Sequence, residues 1–184
     1  MMKDATKPVF KNTKLGILDI KEIEHIIFDN LILVQKYVYQ NFDTISFSSE
    51  TLCQLHSLLC DNIFDFAWTY RKHNVQVGLF DPINFVQVPI EMKILFDDIT
   101  YRLPLLKTDE DKKEFLAYVM RKILWIHPFS DYNARVTRLF AELFMLKMEL
   151  YVQSFVWTSR KDFAESMKKA TFEGDLSDIL KIIW

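Results

Sequence analysis

Glycine scarcity is the feature that most constrains this chain, because only three glycines occur among its 184 residues. Turns with positive φ depend on glycine, so few tight turns can be built from this sequence. Five prolines add little to the supply of turn residues. Half of the residues are apolar, which is enough for a sizeable core in a chain of this length. These features predict an all-α domain with long helices and argue against an all-β fold.

Several segments show apolar residues at helical spacing after a plausible N-cap. Asp19 precedes such a segment, residues 20–40, and Ser48 or Ser49 precedes a second, predicted to continue as one helix to about residue 72. Thr108 or Asp109 begins a third, which ends near residue 126. We therefore expect a helical bundle.

Residues 75–85 differ in character, because apolar side chains alternate there and turn residues follow. This pattern predicts a short β-hairpin or extended flap, the one non-helical segment of any size. The residues predicted to form the flap are Val75, Val77, Gly78, Leu79 and Phe80.

The domain organisation is expected to be simple. Residues 1–17 are predicted to form an N-terminal arm, and residues 18–184 a single domain with a C-terminal helical tail over 156–184. The formal net charge of −2 gives no broad positive field, so no nucleic-acid partner is expected. The sequence shows neither a signal peptide nor a run of ~20 apolar residues that could span a bilayer. The expectation is a cytoplasmic protein without a membrane partner.

The stretch "WIHPFSDYNARVTRLF", residues 125–140, concentrates the residues that could carry chemistry. Proline disfavours a helical conformation in the residue before it, so His127 should leave its helix at the start of a loop. Asp131 and Asn133 are both good N-caps, which predicts that the next helix begins within residues 130–135. The first turn of a helix presents unpaired N–H groups and can bind a phosphate.

The side chains around that helix start suit phosphate chemistry. Arg135 and Arg138 are three residues apart, so they share a helix face and could grip phosphate oxygens. Asp131 could hold Mg²⁺ through one carboxylate, and His127 could act as a general base at neutral pH. Taken one at a time, these residues are more often a helix cap, a solvated face or a core histidine. Their order and spacing favour the functional interpretation.

That order resembles the signature of the Fic family, His-Pro-Phe-x-Asp/Glu-Gly-Asn-Gly-Arg-x-x-Arg. The segment before it, with Leu55-His56 and Arg71, also looks like the corresponding part of that family, and the likeness is strongest over residues 18–155. Tyr132 and Ala134 stand where the family has its two glycines. The matching residues are His127, Pro128, Phe129, Asp131, Asn133, Arg135 and Arg138.

The resemblance implies a Fic fold, a helical bundle around a central helix-loop-helix motif with one short β-hairpin flap. It implies a bacterial protein nucleotidyltransferase that moves AMP from ATP, with Mg²⁺, to a hydroxyl group of a target protein. His127 would deprotonate that hydroxyl, and Asp131 would ligate Mg²⁺. Asn133 and Arg135 would hold phosphate oxygens, and Arg138 would reach the terminal phosphate. Phe129 would anchor the loop, and the flap would pair with the target's main chain.

The two departures from the signature differ in weight. Ala134 is harmless if its backbone is already helical. Tyr132 in a left-handed conformation costs on the order of 1–2 kcal/mol. Its ring could fill the space for the phosphates, or point outward and offer its phenol to a phosphate or a target. Both residues belong to the predicted phosphate-binding loop, and the sequence leaves the direction of the ring open.

Alternative functions therefore stay open beside AMP transfer. The chain could be a phosphotransferase or use another donor, or it could be a catalytically weak nucleotide-binding or regulatory domain. A helical protein with an accidental motif is a third class. Many family members are inhibited by a glutamate that pairs with the last motif arginine. Glu173, before Gly174, is a candidate for that role, although Lys169 stands where Ser or Thr is expected. A small inhibitory partner and self-association also stay open.

Overall fold

A computed structural model describes residues 10–78 and 80–150, together with residues 165–166, 169–170, 175, 177–178 and 180. Most of this part is helical, which confirms the predicted fold class. Short 3₁₀ turns precede and follow the third helix. The helices are α1 (Ile20–Asn41), α2 (Ser49–Cys60), α3 (Val88–Arg102), α4 (Asp109–Ile126) and α5 (Asn133–Lys147).

The two-stranded hairpin lies at the N-terminus, within and just after the predicted arm. Strands β1 (Phe10–Thr13) and β2 (Gly16–Asp19) pair antiparallel, with Lys11 opposite Leu18. Gly16 has φ +103°, a conformation that favours glycine, and it closes the turn. Alternation of side chains over four residues is too short a signal to predict such strands.

Helix starts follow the predicted caps. Asp19 and Thr108 each accept a hydrogen bond from the helix they precede, and each forms a capping box with an acidic residue three positions on. Ser48, the first of the two serines considered, caps α2 by accepting from the Thr51 N–H. These signals are local in the chain, which is why they could be recognised from sequence.

The prediction that the second helix runs to about residue 72 is wrong, because α2 ends at Cys60. The Asn30 side chain of α1 donates to the Asn62 side chain and to the Leu59 carbonyl, one of the last carbonyls of α2. This carbonyl therefore has a hydrogen-bond partner outside its own helix. The following turns still bury the apolar residues Ile63 and Ala67. Turns can therefore bury apolar residues at the same spacing as a helix does.

Helix α5 lies at the centre of the fold. It packs against α1, α2 and α4, and α3 packs against α4 and α2. Its residues from Leu139 to Met145 are all buried, as expected of a helix enclosed by its neighbours. The start of α5 is thereby fixed relative to the end of α4. Within the described residues, no helix is both long and apolar enough to cross a membrane.

Candidate active site

The loop between α4 and α5 begins at His127, which leaves the helix as its following proline predicts. His127 is the C-cap of α4 and has a left-handed backbone, with φ 53° and ψ 62°. Its N–H still bonds the Ile123 carbonyl at 2.8 Å. Its Nδ1 lies 3.4 Å from the Leu124 carbonyl oxygen. Such a contact favours the tautomer with the proton on Nδ1, which makes Nε2 the acceptor.

His127 is held in its neutral form. Burial is the main cause that lowers the pKa of its imidazole, to about 4, and the positive charge of Arg71 acts in the same direction. The Leu124 carbonyl opposes this shift. At pH 7 the ring is therefore unprotonated and able to accept a proton.

Phe129, the predicted anchor of the loop, lies in the core. Its side chain is fully buried and its ring is stacked on His56, with centroids 3.9 Å apart and planes 4° apart. His56 is also buried, which lowers the pKa of its imidazole to about 4. A neutral ring of this kind packs like an aromatic. The sequence showed the Leu55-His56 pair but gave no reason to place it under Phe129.

Asn133 holds the same loop through its side chain. Its Oδ1 accepts from the Phe129 N–H at 2.9 Å, and its Nδ2 donates to the Phe129 carbonyl at 2.8 Å. Only 2% of the residue is exposed. In this arrangement the Asn133 amide shapes the loop, and its predicted contact with phosphate oxygens stays a prediction.

Tyr132 adopts the left-handed conformation that a glycine would adopt most easily. It precedes α5 with φ 61° and ψ 12°, and its side chain makes no capping bond. Its ring is only 8% exposed and packs beside Phe64, with centroids 5.9 Å apart. Burial raises the pKa of the phenol, so it stays protonated. The ring thus joins the core beside Phe64.

Ala134 is the second residue of α5, so its backbone is helical and the missing glycine is of little consequence there. The predicted N-caps Asp131 and Asn133 do not cap α5, because the helix begins one residue after Tyr132. Asp131 instead accepts from the Tyr132 N–H through Oδ1. This bond fixes the carboxylate beside the start of the helix.

Arg135 combines an ion pair with an unused donor. Its Nη2 donates to the carboxylate of Glu24 in α1, and the guanidinium lies 5.2 Å from the centre of the Tyr132 ring. Its Nη1 is buried and has no hydrogen-bond partner within the described part of the chain. A buried donor without a partner is costly, and a bound anion would satisfy it. Arg138 lies on the same side of α5, and its Nε is 3.3 Å from the Ala134 carbonyl oxygen.

Asp131 is the acid that could hold a cation. Its Oδ2 forms a 3.3 Å ion pair with Lys11 of β1, and both side chains are about half exposed. No group of three His, Cys, Asp or Glu side chains among the described residues could hold a metal ion. The residues nevertheless fit Mg²⁺, which binds through one or two carboxylates and completes its shell with phosphates and water. Asp131 offers such a carboxylate next to the arginines.

The predicted flap forms a single bridge instead of a two-stranded sheet. Val77 and Phe80 exchange both main-chain hydrogen bonds, at 2.8 and 3.0 Å. Gly78 has φ 61°, which the tight turn requires. Val75 precedes the bridge and is partly buried. Leu79 and Glu173 lie outside the described residues.

Comparison with protein families places this geometry in context. The model of the Fic/DOC family matches residues 46–145, more than half of the chain. The chain belongs to the Fic/DOC family. The matched segment contains α2, the flap, α3, α4, the loop and most of α5. Lys11 and Glu24, which pair with the motif residues, lie outside it.

Solved structures of Fic domains have the same fold as this chain. BepC of Bartonella tribocorum, solved with bound AMPPNP, has a TM-score of 0.81 at 16% identity over 97% of this chain and 92% of that chain. A Fic domain of Bartonella quintana, solved with bound ADP, has a TM-score of 0.73 at 16% identity over 99% and 91%. Fic-1 of C. elegans has a TM-score of 0.65 at 23% identity over 86% of this chain and 46% of that one. A comparison with curated protein sequences finds no match.

Sequence reasoning missed two residues of the candidate site, Lys11 and Glu24, and recognised a third, Arg71, only by resemblance. Lys11 and Glu24 hold Asp131 and Arg135 in ion pairs, and Arg71 binds the loop from beneath. Arg71 was recognisable only as part of the family pattern. For Lys11 and Glu24 the sequence carries no signal, because pairing over 120 and 111 residues depends on the fold.

Proposed function

We propose that this Fic domain transfers AMP from ATP to a hydroxyl side chain of a target protein. The observation that carries the proposal is the buried Nη1 of Arg135, which has no hydrogen-bond partner among the residues that the structure describes. It lies in the first turn of α5, where main-chain N–H groups and the helix dipole favour an anion. A phosphate bound there would be separated in sequence from His127, whose imidazole is neutral, only by the loop between α4 and α5.

His127 is suited to take the proton of the attacking hydroxyl. With its Nδ1 facing the Leu124 carbonyl, Nε2 accepts the proton as the hydroxyl oxygen attacks the α-phosphorus. The bond from the α-phosphorus to the bridging oxygen breaks, and pyrophosphate leaves with the electron pair. The target then carries AMP in a phosphodiester bond. His127 returns to its neutral form by releasing the proton to solvent.

Arg135 and Arg138 would neutralise the charge that develops on the phosphates. Guanidinium groups suit this task because they stay charged and donate two parallel hydrogen bonds. Asp131 would hold Mg²⁺, which when bound supplies positive charge to the phosphates and to the leaving pyrophosphate. Asp131 would have to exchange its contact with Lys11 for the ion.

The flap would hold the target. A peptide that pairs with the main chain near Val77 would be registered by strand-like hydrogen bonds, independent of most of its side chains. Val77 is exposed, and it offers an apolar contact at that edge. The target's hydroxyl would then reach His127 from the flap side of the loop.

A second candidate function is a regulatory domain that binds nucleotide with little turnover. The observation in its favour is that Arg135 and Asp131 both have partners in the protein, Glu24 and Lys11. A nucleotide would have to displace these partners before it could bind in the geometry for transfer. Transfer of the terminal phosphoryl group is a third outcome. It is distinguished from AMP transfer by whether the α- or the γ-label of ATP becomes bound to protein.

The test compares α-labelled with γ-labelled ATP in the presence of Mg²⁺ and a cell lysate. AMP transfer predicts that only the α-label becomes protein-bound, in the protein itself or in a lysate target. His127→Ala should remove the label, whereas His25→Ala, at an exposed histidine of α1, should retain it. Protein-bound γ-label would indicate phosphotransfer, and nucleotide binding without any label would favour the regulatory domain.

A further inference from the structure

Arg71 is a buried cation whose hydrogen bonds to the described residues all go to main-chain oxygens. It lies after α2, is 3% exposed, and makes no ion pair with a carboxylate among the described residues. Its Nε donates to the His127 carbonyl at 2.8 Å, and its Nη1 donates to the His73 carbonyl at 3.0 Å. Its Nη2 donates to the carbonyls of Ile83, at 2.5 Å, and Ile126, at 3.3 Å.

Two of these carbonyls belong to the end of α4. The last carbonyls of a helix have no partner within it, and a cation there is favourable. The Arg71 N–H adds a bond to the Pro128 carbonyl at 2.8 Å, so three successive carbonyls, from Ile126 to Pro128, are held by one residue. These bonds span the left-handed turn at His127. A non-glycine residue keeps such a backbone only where its surroundings enforce it.

The other two carbonyls belong to the segments that enter and leave the flap. His73 comes before the Val77–Phe80 bridge and Ile83 comes after it. The Asn74 side chain adds a second link by accepting from the Phe85 N–H at 3.0 Å. The two ends of the flap are therefore held together, and both are held against the catalytic loop.

A residue needed only for packing would not have to be charged at this place. Burying a guanidinium costs free energy unless its donors are satisfied, and burial lowers the pKa of Arg71. The planar group has its donors at fixed angles, which allows it to bind carbonyls on several segments at once. The cost is accepted where the loop and the flap meet.

We propose that Arg71 is a positioning residue, which fixes the His127 turn and the flap in one geometry so that a target bound to the flap presents its hydroxyl to the base. This proposal rests on the proposed function for its catalytic consequence. It does not involve the nucleotide phosphates, which would lie at the start of α5. Its loss should therefore affect the use of the target and leave nucleotide binding unchanged.

The test uses Arg71→Lys and Arg71→Met. Lysine keeps the charge but lacks the planar fork, and methionine removes the donors while keeping an apolar stem. Arg102→Met is a matched control, because Arg102 packs on Phe115 and Tyr118 of α4, away from the loop that begins at His127. Hydrogen–deuterium exchange is measured by mass spectrometry on all four proteins. Both Arg71 variants should lose protection over residues 126–132 and 73–85 together, with α1 and α5 unchanged.

Kinetics with a labelled target then test the catalytic consequence. In Arg71→Lys, kcat/KM for the target should fall by roughly 10- to 100-fold, since small displacements of a reacting group have effects of this size. The Kd for AMPPNP should stay within about twofold of the wild-type value, because a contact remote from the phosphates adds nothing to its binding. Arg102→Met should change neither quantity.

Protection lost in only one segment, in neither, or evenly over the whole fold would overturn the proposal. So would coupled loss of protection with unchanged kcat/KM. If Arg71→Met does not fold, the lysine variant decides the matter. If the wild-type protein transfers no nucleotide, the proposed function fails, and the exchange experiment still decides whether Arg71 joins the flap to the loop.

Discussion

Replacing Glu24 with glutamine should tighten nucleotide binding, because Glu24 occupies the arginine that a phosphate would need. The carboxylate of Glu24 pairs with Nη2 of Arg135, and the two side chains are 41% and 19% exposed. A nucleotide that binds Arg135 must compete with this pair. Glutamine keeps the size of the side chain and removes its charge, so the competition weakens while the packing of α1 is retained.

The magnitude follows from the exposure of the pair. Ion pairs with solvent access contribute up to about 1 kcal/mol, because water screens the attraction and both side chains lose freedom. The loss of such a pair on nucleotide binding corresponds to about a fivefold change in Kd. We therefore expect Glu24→Gln to lower the Kd for Mg–AMPPNP by about fivefold at low ionic strength. The gain should shrink in 0.5 M salt, which screens exposed charges.

The assay is isothermal titration calorimetry of the wild-type and variant proteins with AMPPNP and Mg²⁺. Asp29→Asn serves as the control, since it removes one exposed negative charge from the same helix, where Asp29 contacts His25. The control should leave the Kd unchanged. A weaker Kd in Glu24→Gln would refute the reasoning, because it would mean that Glu24 orients Arg135 for the phosphate. An equal gain in both variants would mean that overall charge, and not the pair, controls binding.

Four further predictions concern the loop itself. Because the pKa of His127 is lowered to about 4, the imidazole stays neutral as the pH falls, and the transfer rate should stay nearly constant from pH 7.5 to 5.5. A tenfold loss of rate at pH 5.5, as expected for an imidazole of pKa ~6.5, would contradict this prediction. Because the pKa of His127 is lower in the folded than in the unfolded protein, its contribution to the free energy of unfolding should be complete above about pH 6.5. This contribution should be lost as the pH falls towards 4, and urea unfolding at several pH values measures it. Tyr132→Gly relieves the left-handed backbone but removes a buried ring, so the free energy of unfolding should fall by about 2 kcal/mol; a variant as stable as wild type would refute the packing argument. Ala134→Gly should cost about 0.5 kcal/mol in the same assay and leave the Kd for AMPPNP unchanged; tighter binding would show that the family's glycine matters here.

The parts of the fold that the sequence predicts are those encoded by neighbouring residues. Asp19, Ser48 and Thr108 act through N–H groups two or three positions away, so a short window contains the whole interaction. The end of α2 could not be predicted this way, because the apolar residues continue at helical spacing into turns. The N-terminal hairpin is missed for a similar reason, since four-residue strands give almost no periodic signal.

The candidate site also has parts that the sequence predicts and parts that it does not. His127, Asp131 and Arg135 lie in one loop and the helix after it, so their spacing in the sequence predicts a candidate site there. The left-handed turn at Tyr132 follows from the glycine that it replaces. The direction of its ring depends on Phe64, and the ion pairs depend on α1 and β1. Such contacts join residues far apart in the chain and become visible only when the helices are packed together.

Transfer of label from α-labelled ATP, with and without His127, tests the central claim most directly. The wild-type protein with Mg²⁺ should attach the α-label to itself or to a lysate protein, and His25→Ala should match it. His127→Ala should lose the label while still binding AMPPNP, because the base does not hold the phosphates. Undiminished label in His127→Ala would contradict the account, since the neutral imidazole at the end of α4 would then have no part in the reaction.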